Sequence, residues 1–123
     1  MLLDSIYTIL ESNTLDGEEV VYSICLNGDH YIYKGHFPGF PVTPGVVEIE
    51  IVKELLGVYL NQKVALSKIS NCRFTNILNP EDGSSCHVRV KFKSFEPQIA
   101  VEADIYDDSK KYLSLRAEFY PLS

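Results

Sequence analysis

The side chains best suited to chemistry gather in one segment, Gly35-His36-Phe37-Pro38-Gly39-Phe40-Pro41-Val42-Thr43-Pro44-Gly45-Val46-Val47-Glu48-Ile49-Glu50. His36 is its one histidine, and an imidazole with an ordinary pKa of about 6.5 can take a proton at neutral pH. Pro38 and Pro41 fix the backbone on either side of Gly39, which positions His36 at low entropic cost. A helix with Pro44 at its first position leaves the N–H groups of Gly45 and Val46 without intrahelical acceptors. Such donors, with the helix dipole behind them, suit a developing oxyanion. Gly45 adds no side chain that would keep a ligand from the backbone. Glu50 follows Val46 by one turn on the same face. Set among apolar neighbours, its carboxyl is expected to be desolvated and to hold its proton more tightly. A base, an acid and oxyanion donors together suit removal of a proton alpha to a carbonyl followed by loss of a beta leaving group. A thioester would supply the carbonyl.

The same residues admit plainer readings. A single loop histidine is more often structural than catalytic. Glu50, Lys53 and Glu54 can form the solvated stripe of a helix, with Glu50 and Lys53 as an i,i+3 ion pair. Thr43 can cap the helix with its hydroxyl and so occupy the donor that a substrate would need.

The surrounding pattern sets the elements that must hold this segment. Residues 5–15 and 19–26 are rich in β-branched and aromatic side chains and flank Leu15-Asp16-Gly17, which reads as strand, turn, strand. Residues 30–34 continue or repeat that pattern. Four of the seven glycines and three of the six prolines then fall between Gly28 and Gly45, marking a loop shaped by backbone restriction. With Thr43 as N-cap and Pro44 in the first turn, a helix is predicted through Leu60. Its apolar residues at 46, 47, 49, 51, 52, 55, 56, 58, 59 and 60 predict burial on most sides. Beyond Asn61-Gln62, residues 64–77 form an apolar stretch that stops at the turn Asn79-Pro80-Glu81-Asp82-Gly83. Cys86, Val88, Val90 and Phe92 alternate with polar residues, as in a half-buried strand. Residues 98–106 and 111–120 alternate similarly around Asp107-Asp108-Ser109. The expected fold class is α+β, a sheet wrapped on one central helix.

The 123 residues suit one domain, residues 1–123, large enough to bury about two-thirds of its unfolded surface. Hydrophobic residues at 46% and charged residues at 23% exclude a disordered chain. No apolar run approaches the roughly 18 residues of a membrane span. The start, MLLDSIYTILES, lacks the basic region of a signal peptide. A net charge of −6 argues against nucleic acid. The cysteines, Cys25, Cys72 and Cys86, show no metal-ligand spacing and lie in apolar runs, which fits a reducing cytoplasm.

The stretch His36 to Glu50, H-F-P-G-x-P-x-x-P-G-V-x-x-x-E, resembles the active-site signature of the 3-hydroxyacyl-acyl-carrier-protein dehydratases of fatty-acid synthesis, in their glutamate-bearing branch, with every fixed position present. Cys72-Arg73-Phe74 and the turn from Asn79 to Gly83 are similar to a looser form of that family's later strand and turn. The resemblance implies a hotdog fold, a curved antiparallel sheet wrapped around one long helix, paired into a dimer with the acyl tunnel at the interface. It implies His36 as the base that takes the C2 proton and Glu50 of the other subunit as the acid that assists departure of the C3 hydroxyl. The Gly45 N–H would hold the thioester oxygen, with Val46 as a second donor, inside a loop built by Phe37, Pro38, Gly39, Pro41 and Pro44. It also implies a strained peptide bond at the His36–Phe37 step. No metal or organic cofactor is implied, since the carrier's phosphopantetheine arm arrives with the substrate.

The sequence also departs from that family. Ile51-Val52-Lys53-Glu54 replaces the usual Ala-x-x-Gln after the acid, so Glu54 puts a second carboxyl one turn from Glu50. This puts the substrate and the tunnel shape in doubt more than the reaction, and suggests a specialised paralogue. The implied partner is an acidic acyl carrier protein. Lys34, Arg89, Lys91 and Lys93, with Lys110 and Lys111, are expected to give a basic docking rim, unless the alternating strand cations are only a solvent face. The assembly is read as a homodimer, with a trimer of dimers or a heterodimer with a paralogue as variants. Two other functions compete: a hotdog acyl-thioester hydrolase, and a non-catalytic subunit that binds acyl chains or completes an active partner.

Overall fold

A computed structural model describes residues 1–33, 42–80 and 85–122. Strands β1 (Tyr7–Asp16) and β2 (Glu19–Leu26) form the opening hairpin. A single 3-10 turn, Tyr31–Tyr33, follows where residues 30–34 suggested a strand. The helix α1 (Gly45–Leu60) comes next, and then β3 (Val64–Phe74), β4 (Ser85–Phe95), β5 (Gln98–Tyr106) and β6 (Lys111–Pro121). The strands make one antiparallel sheet in the order β1-β2-β4-β5-β6-β3. The strand that directly follows the helix therefore lands at the far edge, beside β6.

Alternation sets the register. Val20, Tyr22 and Ile24 of β2 lie opposite Val90, Val88 and Cys86 of β4. Val88, Val90 and Phe92 lie opposite Ile105, Ala103 and Val101 of β5, and those continue onto Leu113, Leu115 and Ala117 of β6. All of these residues are buried on the face that α1 covers. A one-residue slip in any strand would turn that row outward. Register shifts interrupt β1 after Ile9 and Thr14, β3 after Leu66 and Ile69, and β6 at Tyr112. Bulges of this kind bend strands, so the sheet can curve around the helix.

The helix contributes Val47, Ile51, Val52, Leu55 and Leu56 to the core. Each fully buried aliphatic side chain stabilises the fold by about 1.5–3 kcal/mol. Burial is one-sided rather than nearly complete, because Val46 is 76% exposed and Val58 is also exposed. The apolar residues that seemed to encircle the helix thus divide between a core face and an open outer face. The helix ends at Asn61, whose left-handed conformation (φ 55°) lets its N–H reach the Gly57 and Val58 carbonyls. No helix among the described residues is long and apolar enough to cross a membrane.

Candidate functional site

Among the described residues no side chain caps the N-terminus of α1. Its cap is Pro44 (φ −60°, ψ 145°), which supplies no side-chain hydrogen bond. The Pro44 carbonyl accepts from the N–H groups of Val47 and Glu48. Among the described residues nothing accepts from the N–H of Gly45 or Val46. Thr43 does not cap, contrary to expectation, and the helix starts one residue later. Its hydroxyl pairs with the Tyr33 hydroxyl at 2.9 Å, and its N–H bonds the Leu78 carbonyl. Buried hydroxyls must find partners, and Tyr33 claims the one that would otherwise have closed the helix end.

Gly45 is required here by a close approach. A Cβ built on it would lie 2.6 Å from Cζ of Phe74. The phenyl ring of β3 therefore fills the space over the Gly45 Cα. Phe74 itself is 48% exposed and forms an apolar wall beside the helix end.

The two carboxyls of the first helical turns differ. Glu50 is half-buried and lies 3.2 Å from the Lys53 ammonium, the i,i+3 pair that the sequence allowed. It shares the outer face with Val46. The desolvation expected at Glu50 falls instead on Glu48, which is 3% exposed. Among the described residues its Oε1 has no hydrogen-bond partner, and burial pushes its pKa up to about 8. Sequence reasoning passed over Glu48, although a signal was present. Positions 48, 51, 52 and 55 form the i, i+3, i+4, i+7 stripe that faces the core, whereas 46, 50, 53 and 57 form the outer one. Tyr33, Cys72 and Cys86 lie within electrostatic range of Glu48. All three cysteines carry free thiols, and burial, the larger cause, with the nearby Glu48 charge raises the Cys86 thiol to about 12.

Glu54 is buried and occupied. It accepts the N–H of Leu2 at 2.7 Å, the N–H of Leu3 at 3.0 Å and the Tyr7 hydroxyl at 3.1 Å. That carboxyl ties the start of the chain to the helix rather than pairing with Glu50.

The docking cations are dispersed. Arg89 donates to Asp104 at 2.6 and 3.0 Å and to Glu19 at 3.0 Å, so its charge is taken up across β2, β4 and β5. Lys91 and Lys93 are exposed, and Lys93 lies over the Phe95 ring. They follow Cys86 by five and seven residues, or about 17 and 23 Å along the strand. Lys111 pairs with Asp104 at 3.2 Å. Lys34, His36, Phe37, Pro38, Gly39 and Pro41, with the strained bond expected at His36–Phe37, lie outside the described residues, as do residues 81–83 of the turn expected at Asn79–Gly83. Among the described residues no cluster of His, Cys, Asp and Glu is arranged to hold a metal ion.

Comparison with known proteins places this geometry in a family. The ApeI dehydratase family model matches residues 12–113. A 3-hydroxyacyl-(acyl-carrier-protein) dehydratase FabZ of Rickettsia massiliae (strain Mtu5) is 29% identical over 123 residues, covering 89% of this chain and 81% of its own. The enzyme of that name from Rickettsia canadensis (strain McKiel) is 32% identical over 91 residues, 63% of this chain and 64% of its own. Among solved structures, the dehydratase heterocomplex ApeI:P from Xenorhabdus doucetiae aligns with a TM-score of 0.73 at 18% identity, covering 91% of this chain and 96% of that one. A hypothetical thioesterase protein with coenzyme A from Streptococcus pneumoniae TIGR4 aligns at 0.65 with 9% identity, covering 95% and 86%. These structural likenesses show a shared hotdog fold. With the family match running from the first strand into the last, and the sheet closed around α1 in the same architecture, this chain belongs to the ApeI-like dehydratase family.

Proposed function

We propose that the protein dehydrates a (3R)-hydroxyacyl thioester, carried by an acyl carrier protein, to the trans-2-enoyl thioester. The observation that carries this reading is the pair of N–H groups, Gly45 and Val46, at the start of a 16-residue helix, for which no acceptor lies among the described residues. They fall inside the His36–Glu50 signature. In the proposed reaction they hold the thioester oxygen as C2 loses its proton to the His36 imidazole. The C2 electron pair forms the C2–C3 double bond. The C3 hydroxyl then leaves as water with a proton from Glu50.

The reading includes a homodimer. Edge strand β3 exposes Leu66, Ile69 and Phe74, while Val46 and Glu50 occupy the uncovered face of α1. A second copy against this edge would cover apolar surface and set its Glu50 near the other protomer's helix start. The three free thiols fit the cytoplasm.

Incubation with (3R)-hydroxyacyl thioesters tests the reading. Gain of enoyl-thioester absorbance supports it. Release of free thiol would make the protein a hydrolase instead, and no turnover would leave a binding subunit. His36→Ala and Glu50→Ala should each reduce the rate by at least about a hundredfold, measured on enzyme shown to be folded. Turnover like that of the wild type in either variant would remove that residue from the mechanism.

A further inference from the structure

Glu48 is the ionisable side chain of α1 that the proposed mechanism leaves unused and that no bond among the described residues explains. It sits in the helix's first turns, 3% exposed, with Oε1 buried and without a hydrogen-bond partner among those residues. Its neighbours do not meet the need. The Tyr33 hydroxyl is already paired with Thr43. Cys72 of β3 and Cys86 of β4 offer only weakly bonding thiols. No Lys or Arg of the described residues bonds or pairs with it.

Its neighbours locate the side chain. Glu48 lies within electrostatic range of Tyr33, whose hydroxyl holds Thr43 two residues before Gly45. Helical side chains lean toward the N-terminus, which agrees with that placement. From β3, Cys72 lies within range of Glu48 and the Phe74 ring lies on Gly45, so one strand face lines both positions. Among the described residues, an acid with an unpartnered Oε1 thus lies on the core side of a helix end whose first two amides have no acceptor.

We propose that Glu48 is a substrate-binding residue: an uncharged carboxylic acid that donates its O–H to a carbonyl or hydroxyl oxygen of the thioester ligand bound at the Gly45 and Val46 amides. The inference rests on the dehydratase reading for the identity of that ligand. Only an acid that keeps its proton can donate, and the surroundings keep it protonated. Tyr33, Cys72 and Cys86 all stay neutral near pH 8 because burial, first among the causes, raises each of them. Glu48 is then the group of this set that ionises as the pH passes about 8. Its ionisation would replace a donor with a buried negative charge beside a developing oxyanion.

The test uses the full-length protein, Glu48→Gln and Glu48→Leu. It compares melting temperature, dehydration of a (3R)-hydroxyacyl thioester, and calorimetric binding of the non-reacting amide analogue in which NH replaces the thioester sulfur. Glu48→Leu removes an unmet buried carboxyl, so it should melt no lower than wild type at pH 8. It should nevertheless lose at least about tenfold in analogue affinity and in kcat/KM. Glu48→Gln keeps a donor without an ionisable proton. It should bind the analogue and abolish the fall in kcat/KM above pH 8. Wild-type-like binding and turnover in Glu48→Leu, or an unchanged alkaline fall in Glu48→Gln, would overturn the inference while leaving the dehydratase reading standing. Glu48-dependent binding without dehydration by any form would do the reverse. Absence of analogue binding by wild type would overturn the inference outright.

Discussion

Glu48 and Glu50 are two residues apart, yet the helix puts one against the sheet and the other in contact with solvent and Lys53. The buried carboxyl has a consequence for stability that needs no ligand. Its pKa is raised from 4.5 to about 8 in the folded chain. Below about pH 4.5 both folded and unfolded forms hold the proton, and the group contributes no pH dependence. Above that value the unfolded chain releases it and the folded chain does not, so stability falls as pH rises. The slope is at most about 1.4 kcal/mol per pH unit, and the fall levels off above about pH 8. Glu48→Gln removes this dependence. The melting-temperature difference between Glu48→Gln and wild type should therefore shift steadily in favour of the variant from pH 4.5 to 8. A difference that stays flat across that range would mean that Glu48 is not held neutral by burial. The sequence showed a glutamate-bearing apolar helix, but choosing its buried carboxyl required weighting position on the helix face over the family's acid position.

Much at the level of elements follows from local chemistry. The Asp107 turn forms because its Oδ1 accepts from the N–H groups of Ser109 and Lys110, which the Asp-Asp-Ser run signals by itself. The alternation from Cys86 to Phe92 forms β4 as read. The errors come from partners distant in sequence. Tyr33 takes the hydroxyl that would have capped α1, and Asp104 and Glu19 take the guanidinium read as a docking cation. Position along the chain also does not reveal that β3 crosses to the edge beside β6. Glu54 is another such case, since its three donors come from residues 2, 3 and 7. Truncation in Glu54→Ala leaves the Leu2 and Leu3 amides and the Tyr7 hydroxyl without this acceptor. It should cost about 1–3 kcal/mol. In hydrogen exchange the Leu2 and Leu3 amides should lose protection while the middle of α1 keeps it. Unchanged protection at both amides would show that the clamp contributes nothing to holding the chain's start. Catalysis should fall far less than in Glu50→Ala, because Glu54 is already occupied by the protein itself.

At the scale of the whole molecule, the distribution of charge and of uncovered apolar surface decides what else it can meet. The net charge is −6, so the acidic carrier of the proposed function would need a local cationic patch. Lys91 and Lys93 lie far along β4 from the helix start. The double substitution Lys91→Glu, Lys93→Glu should therefore leave the ratio of carrier-bound to small-thioester turnover within about threefold of wild type. A selective loss on the carrier-bound substrate would place docking on that end of the sheet. The apolar surface leads to a stronger expectation. An edge strand with its pairing groups open and Leu66 and Ile69 exposed is a template for another chain, and the proposed site needs Glu50 from that second copy. Ile69 is 42% exposed and lies between two register shifts in β3, so a charge there should change the stability of the isolated fold by no more than about 1 kcal/mol. Facing its own symmetry mate, it would meet a like charge in a desolvated seam. Ile69→Asp should then sediment as a monomer with native circular dichroism and lose at least about a hundredfold in dehydration, matching removal of the acid itself. A variant that stays dimeric would put the interface elsewhere, and a monomer with full activity would mean that one chain supplies both the base and the acid.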